Sequence, residues 1–201
     1  ATNGSRVTVW GENFEVVIEK GLICRFVKNG KTVFDAPMEF NIFRAHTDND
    51  GIMAINPWFF RTAEIWREKV MESIGFFAYG ITAEKTNKGV ECIVKGKILP
   101  NGKYYGFDAT IKYTIYPDGL IAVSVEAMPY GNMPEKLPRF GLHFTCDKAY
   151  SNVTWYGRGH RENYSDCQMA SPVGLYSKNV KDTYTIFDMP QESGNHEDNS
   201  F

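Results

Sequence analysis

The amino-acid sequence predicts an all-β fold: a large antiparallel two-sheet sandwich with one short helix near residues 57–71. Apolar and charged residues alternate along Phe14–Lys20 with the period of two that half-buried strands have. Strong turn sequences, such as Asn87–Gly89 and Pro117–Gly119, separate consecutive strand patterns. Consecutive antiparallel strands with one face in water form a meander, and several at short spacing indicate a sandwich.

The N-terminal part of the chain reads as a series of short strands. The dipeptide Asn29-Gly30 between two of them predicts a tight hairpin, because both positions of a type I′ turn require positive φ. The predicted strands are Val7–Trp10, Phe14–Lys20, Leu22–Lys28, Lys31–Phe34 and Met38–Phe43.

The segment Asn56–Met71 is the only convincing helix in the sequence. Asn56 supplies a cap and Pro57 occupies the first helical position. The apolar stripe of this helix consists of Phe59, Ala63, Trp66 and Val70. We favour packing in the core for this stripe. The alternative is a long irregular loop whose aromatic residues stack on a sugar: Trp58, Phe59 and Phe60.

From Ile74 onward the pattern is purely β, without internal repeats or a domain boundary, so we predict one domain over residues 1–201. The predicted strands are Phe76–Lys85, Val90–Leu99, Tyr104–Tyr116, Leu120–Met128, Arg139–Cys146, Asn152–Tyr156 and a weak Tyr184–Phe187. Gln191–Ser200 is polar and aperiodic, and residues 191–201 are predicted to be a frayed tail. On such a tail a metal cluster of His196, Glu197 and Asp198 is disfavoured, since adjacent residues do not converge.

Composition and charge exclude several classes of partner. A net charge of −2 without a basic stripe argues against nucleic acid. No apolar run approaches the ~20 residues that span a bilayer, so no membrane is expected as a partner. The chain starts Ala1-Thr2-Asn3, without methionine or signal peptide, so we expect a piece of something longer. We expect a soluble protein of the cytoplasm or the periplasm, and the sequence leaves the choice between these compartments open.

The cysteines are widely separated and form no C-x-x-C pair. They are Cys24, Cys92, Cys146 and Cys167. This spacing predicts free thiols buried on strands, in preference to a metal site or a disulfide framework.

The stretch Phe40–Gly51, FNIFRAHTDNDG, is the strongest candidate for a functional site. Its apolar start reads as the end of a buried strand, and a cluster of charged and amide side chains follows. Such a cluster, at the point where a strand leaves the core, is placed to meet a polar ligand. The alternative is a solvated turn in which Asp48 and Asn49 bond only their own backbone.

Two motifs resemble one family. RAHTDND, at Arg44–Asp50, resembles the R-A-P-T-D-N-D signature of the C-terminal small-chain domain of glycoside hydrolase family 2 β-galactosidases. Within Leu137–Asp166, LPRFGLHF and VTWYGRGHRENYSD resemble the family's L-P-R-x-G-x-x-F and W-x-G-x-G-P-x-E-N-Y-x-D-R. The resemblance covers the chain from about Arg6 onward. It departs from the family at three positions: His46 and His160 replace proline, and Cys167 replaces arginine.

The resemblance implies a sandwich of the galactose-mutarotase type without catalytic residues of its own. A glycosidase needs two carboxylates on either side of one bond. In the family this pair belongs to a (β/α)₈ barrel domain, and the carboxylates available here stand outside its catalytic motifs: Asp48, Asp50, Glu162 and Asp166. The implied function is therefore a carbohydrate-binding, active-site rim within an enzyme that hydrolyses terminal β-D-galactosides such as lactose.

The same resemblance suggests which residues contact substrate and which partners the chain has. The expected substrate-binding residues are Arg44, His46, Asp48, Asn49, Asp50, Gly51, His160, Glu162 and Asn163. The expected partners are galactosides, the remaining domains of the enzyme and a further copy in a homo-oligomer. No cofactor or metal is assigned to this chain, and the resemblance implies Mg²⁺ and Na⁺ for the full enzyme.

Two further functions stay open. An aldose 1-epimerase needs a general acid and a general base, typically His and Glu, on either side of the anomeric carbon. His46 and His160 lie in the two signature loops, whereas His143 falls on a predicted strand. A purely structural module is the other possibility, in which the charged side chains of Trp155–Asp166 satisfy each other.

Overall fold

The computed structural model describes residues 2–50, 62–69, 71–164 and 167–196. The chain forms two compact units. The first comprises Ala1–Arg44 and Glu64–Asp147, and the second comprises Ala45–Ala63 and Lys148–Phe201. The single domain over residues 1–201 stays a prediction.

The described part of the chain is mostly strand, and all of its strand pairs are antiparallel. The strands of the first unit are β1 Thr2–Asn3, β2 Arg6–Trp10, β3 Phe14–Glu19, β4 Leu22–Lys28, β5 Lys31–Phe34, β6 Glu39–Asn41, β7 Ile74–Thr86, β8 Gly89–Pro100, β9 Gly106–Ile115, β10 Ile121–Tyr130 and β11 Gly141–His143. The second unit contains β12 Asn152–Arg158 and β13 Val173–Asn179. The α-helix, α1, runs from Thr62 to Glu68, and short 3-10 turns cover Asp48–Asp50, Gln168–Ala170 and Val180–Asp182.

Two sheets form the sandwich of the first unit. One has the strand order β1-β2-β3-β4-β5, and the other has the order β10-β9-β8-β7. The hydroxyl of Tyr113 on β9 donates to the carbonyl of Gly21, between β3 and β4, at 3.0 Å. Gly21 has φ +84, and a Cβ there would lie 2.6 Å from Cγ1 of Val94 on β8. Only glycine fits this approach of the two sheets, and the predicted all-β sandwich is confirmed.

Side-chain alternation places the core between the sheets. The face of β9 that the sequence predicts to be apolar is buried throughout: Phe107, Ala109, Ile111, Tyr113 and Ile115. Opposite it, Val16 and Ile18 of β3 are also fully buried. The hairpin at Asn29-Gly30 has φ +51 and +70 at the two positions, as the dipeptide predicts.

The helix α1 ends at Glu68, three residues before the end of its predicted range, Asn56–Met71. Residues 51–61 and 70 lie outside the described residues, and so do the predicted cap and the aromatic residues Trp58, Phe59 and Phe60. Trp66 of α1 is buried, and its indole N–H donates to the carbonyl of Lys136 at 2.9 Å. The predicted role of Trp66 in the core is therefore confirmed.

Strand prediction is least accurate for the short strands and toward the C-terminus. β13 is missing from the prediction, while the predicted strand Tyr184–Phe187 is wrong, since these residues form neither a helix nor a strand. The predicted strands Met38–Phe43 and Arg139–Cys146 are reduced to β6 and β11, which pair only over three residues each. In β13 apolar Val173 and Leu175 are exposed, so the strand is defined by pairing with β12 and not by an amphipathic pattern.

The four cysteines are free thiols. Cys92 on β8 is buried and Cys24 on β4 is half-buried, which agrees with the prediction of thiols on strands. Cys146 and Cys167 lie outside the strands, and Cys167 is exposed. In the described ranges no helix is both long enough and apolar enough to cross a membrane.

Burial of Cys92 predicts a loss of stability at alkaline pH. Desolvation raises the pKa of this thiol from 9.0 to about 11. Between these values the unfolded chain releases the proton and the folded chain keeps it. We therefore expect the free energy of unfolding to fall by up to about 1.4 kcal/mol per pH unit through this group.

Urea denaturation on either side of this pH range would measure the effect. The decline should be shallower in Cys92→Val, because valine does not ionise. The exposed Cys167 offers the matched control for the replacement of a thiol by valine. An unchanged slope in Cys92→Val would contradict the prediction.

Candidate functional site

The segment 47–50 folds into a locked turn in the second unit, which we call the acidic turn. The carboxylate Oδ2 of Asp50 accepts hydrogen bonds from the backbone N–H of Thr47 at 2.8 Å and from its hydroxyl at 3.0 Å. Both residues are buried. Since a buried carboxylate bonded twice is costly to displace, Asp50 fixes the shape of the turn.

Asp48 and Asn49 lie at the accessible side of the acidic turn. The Oδ1 of Asp48 accepts from the backbone N–H of the next residue, Asn49, at 2.9 Å. The same oxygen accepts from the side-chain amide of Gln191, and the N–H of Asp48 donates to the carbonyl of Pro190 at 2.9 Å. Asp48 is half-buried and Asn49 is exposed. The turn therefore presents an amide and part of a carboxylate.

Asn163, from the second signature motif, is fully buried in the same unit. Its side-chain amide donates to the carbonyl of Arg158 at 3.3 Å and lies 3.4 Å from Nδ1 of His196. Its backbone N–H donates to the carbonyl of Asn195 at 2.9 Å, and its own carbonyl accepts from the Asn195 side chain at 3.4 Å. These bonds give Asn163 the role of holding residues 158–164 in place.

Trp155 of β12 forms the centre of this region. Its indole N–H donates to the carbonyl of Arg158 at 3.1 Å, and its ring lies 4.7 Å from the imidazole of His196 and 5.7 Å from the ring of Tyr176. Burial lowers the pKa of His196, and the nearby charge of Lys178 lowers it further. The opposing charge of Glu162 raises this pKa to a smaller extent.

The other predicted residues are distributed between the two units. Glu162 accepts from the backbone N–H of Gly194 through Oε2 at 3.1 Å. His160 is exposed, with its ring 6.3 Å from that of Tyr176, and His46 is half-buried. Arg44 belongs to the first unit.

The guanidinium carbon of Arg44 lies 5.6 Å from the ring centroid of Trp66. This distance is within the range of a cation–π contact, so Arg44 helps to anchor the end of the first unit. The predicted residues Gly51 and Asp166 lie outside the described residues.

Sequence reasoning missed the segment 190–196, which we call the strap. The sequence prediction treats residues 191–201 as a frayed tail, of which 197–201 lie outside the description. Residues 190–196 have no regular secondary structure. They nevertheless bond the acidic turn at one end and residues 162–163 at the other. A polar aperiodic segment gives no pattern from which these contacts follow.

The described side chains do not bring a metal-ligand set together. In the ranges that the structure covers, no three His, Cys, Asp or Glu side chains gather into a possible metal site. Of the residues in the tail cluster, His196 packs on Trp155, and Glu197 and Asp198 lie outside the described part.

Comparison with known proteins supplies the family. Residues 10–201 match the family model described as "Beta galactosidase small chain". The beta-galactosidase of Actinobacillus pleuropneumoniae is 32% identical over 184 residues, which cover 92% of this chain and 17% of that protein. Those of Priestia megaterium and Kluyveromyces lactis are 27% and 30% identical, over 98% and 79% of this chain and 18% and 15% of their own lengths. The chain thus spans less than a fifth of these relatives.

Proposed function

The chain belongs to the β-galactosidase small-chain family, and on that premise we propose that it is a non-catalytic domain of a β-galactosidase whose acidic turn forms a rim beside the bound galactoside. The whole enzyme would hydrolyse terminal β-D-galactosides such as lactose. The catalytic carboxylate pair would come from the part of the enzyme beyond this chain, which is most of the length of the relatives.

The observation that carries this proposal is the locking of the acidic turn. Asp50 fixes its backbone through two bonds to Thr47, while the side chain of Asn49 remains exposed. A turn held in one shape loses little conformational entropy when a ligand binds, so its polar groups are pre-organised. Carboxylate and amide groups suit sugar hydroxyls, which both donate and accept hydrogen bonds.

The predicted site residues fall into two groups, those that would contact the sugar and those that would hold the backbone. Asp48 and Asn49 would contact the sugar, and the exposed His160 is a further contact. Asp50 and Asn163 would act by holding the backbone, because both are buried and bonded inside the unit.

An NMR titration of the chain with galactose at millimolar concentration tests the rim. We expect amide shifts centred on residues 46–49, and we expect Asp48→Ala to abolish them by removing the carboxylate. Asp118 provides the control, because its carboxylate also lies in a turn, where its Oδ1 accepts from the backbone N–H of Leu120 at 3.0 Å in the first unit. Asp118→Ala should leave the galactose shifts intact.

Two results would count against the proposal. One is the absence of shifts at millimolar galactose. The other is a shift pattern in Asp48→Ala that matches the unchanged chain, which would show that the sugar does not use the acidic turn.

A further inference from the structure

We propose that the strap, residues 190–196, is a positioning element that ties the acidic turn to residues 162–163, with Gln191 and Asn195 as its positioning residues. The geometric part of this inference stands on the contacts of the second unit alone. The effect on sugar binding rests on the proposed function.

The first end of the strap holds Asp48 from two sides. The carbonyl of Pro190 accepts the backbone N–H of Asp48 at 2.9 Å. The side-chain amide of Gln191 donates to Oδ1 of Asp48, which also accepts from the N–H of Asn49. One carboxylate oxygen thus accepts two hydrogen bonds, and hydrogen bonds to a charged acceptor are stronger than those between neutral groups. The orientation of the Asp48 carboxylate depends on Gln191.

At the second end of the strap, three consecutive residues, 194–196, contact the other signature motif. The N–H of Gly194 donates to Glu162, Asn195 exchanges two bonds with the backbone of Asn163, and His196 packs on Trp155. Asn163 and Trp155 are both buried, so this end is anchored in the core of the unit. The first end, in contrast, lies at exposed Pro190 and Gln191.

A short segment bonded at both ends transmits a displacement from one end to the other. Only Glu192 and Ser193 separate Gln191 from Gly194. The two bonded ends therefore have little freedom to move independently of each other. The two signature motifs, which lie far apart in the sequence, are positioned by the same few residues, and the anchored end determines where Asp48 is held.

Amide hydrogen exchange on the 201-residue chain tests the strap without any sugar. Gln191→Leu removes the donor to Asp48 at nearly the same side-chain size. We expect the amides of Asp48 and Asn49 to exchange about tenfold faster, which corresponds to the loss of one hydrogen bond to a charged group. Gln191→Lys restores a donor within reach of the carboxylate, so it should return the exchange rates toward those of the unchanged chain.

Asn195→Ala tests transmission from the anchored end. It removes the bond to the carbonyl of Asn163 and should also accelerate exchange at Asp48, a residue that Asn195 is not seen to bond. Amides of β8 and β9 in the first unit are the internal control and should keep their rates. Under the proposed function, galactose shifts at residues 46–49 should weaken in Gln191→Leu and recover in Gln191→Lys.

The outcomes separate the two claims. Faster exchange at Asp48 in Gln191→Leu and Asn195→Ala, with rescue by lysine, supports the strap whether or not galactose binds. Unchanged exchange at Asp48 in Asn195→Ala would overturn the coupling. Equal acceleration in Gln191→Leu and Gln191→Lys would overturn the role of the Gln191 donor. Sugar shifts that fail to appear in any variant would contradict the rim and leave the exchange result standing.

Discussion

Replacing Trp155 with alanine is expected to lower the free energy of unfolding of the second unit by about 3–5 kcal/mol. The indole is only 3% exposed, its ring centroid lies 4.7 Å from that of His196 and 5.7 Å from that of Tyr176, and its N–H donates to the carbonyl of Arg158. Its loss opens a cavity and removes the surface on which the strap is anchored. Native-state hydrogen exchange of the β12 and β13 amides, combined with urea denaturation, measures this change.

The neighbouring residue on β12 supplies the control. Tyr156 is 58% exposed, so Tyr156→Ala should cost less than about 1 kcal/mol. Equal losses in Trp155→Ala and Tyr156→Ala would show that Trp155 is not the centre of the second unit. The hydrogen-exchange rates of the β8 and β9 amides measure the stability of the first unit separately.

Replacing Tyr113 is expected to destabilise the first unit by a similar amount. The side chain is 0% exposed and its hydroxyl donates to the carbonyl of Gly21 at 3.0 Å. Tyr113→Ala removes the ring and the bond between the sheets, and we expect a loss of about 3–5 kcal/mol. Tyr113→Phe keeps the ring and leaves the Gly21 carbonyl without this donor, so the free energy of unfolding should fall by about 1–3 kcal/mol. Urea denaturation of the two variants separates packing from hydrogen bonding.

Burial of Tyr113 should also make the stability of the chain depend on pH in the alkaline range. Burial holds the pKa of its phenol far above the ordinary value of 10.0. Above that value the unfolded chain ionises and the folded chain keeps the proton, so stability falls as pH rises. Tyr113→Phe should therefore show a shallower decline above pH ~10. Tyr104, 97% exposed, is the control, and Tyr104→Phe should leave the stability unchanged. A steep decline retained in Tyr113→Phe would contradict the argument.

Local patterns were enough to predict most of the longer strands in the two large sheets of the first unit. In β9 the alternation of apolar and polar residues assigned the buried face correctly from Phe107 to Ile115. The positive φ at Asn29 and Gly30 followed from their dipeptide alone. These features depend on backbone sterics and on a side-chain period of two, and both are determined by residues that are neighbours in the sequence.

The same reasoning failed where pairing lacks an amphipathic pattern. β13 exposes Val173 and Leu175, and its partner residues lie about twenty positions earlier in β12. The motif residues were named from the resemblance, but their roles were not predictable. Asn163 is buried within the loop, and Arg44 lies against Trp66 in the first unit.

The sequence by itself therefore determined an antiparallel sandwich, its turns, and membership of the β-galactosidase small-chain family through two motifs. The strap and the division of the motif residues into exposed and holding groups came from contacts between distant segments. Gln191 and Asp48 are 143 positions apart, and Trp66 bonds a carbonyl 70 positions away. Hydrogen bonds of this kind leave no periodicity in the chain, because each depends on where folding brings its partner.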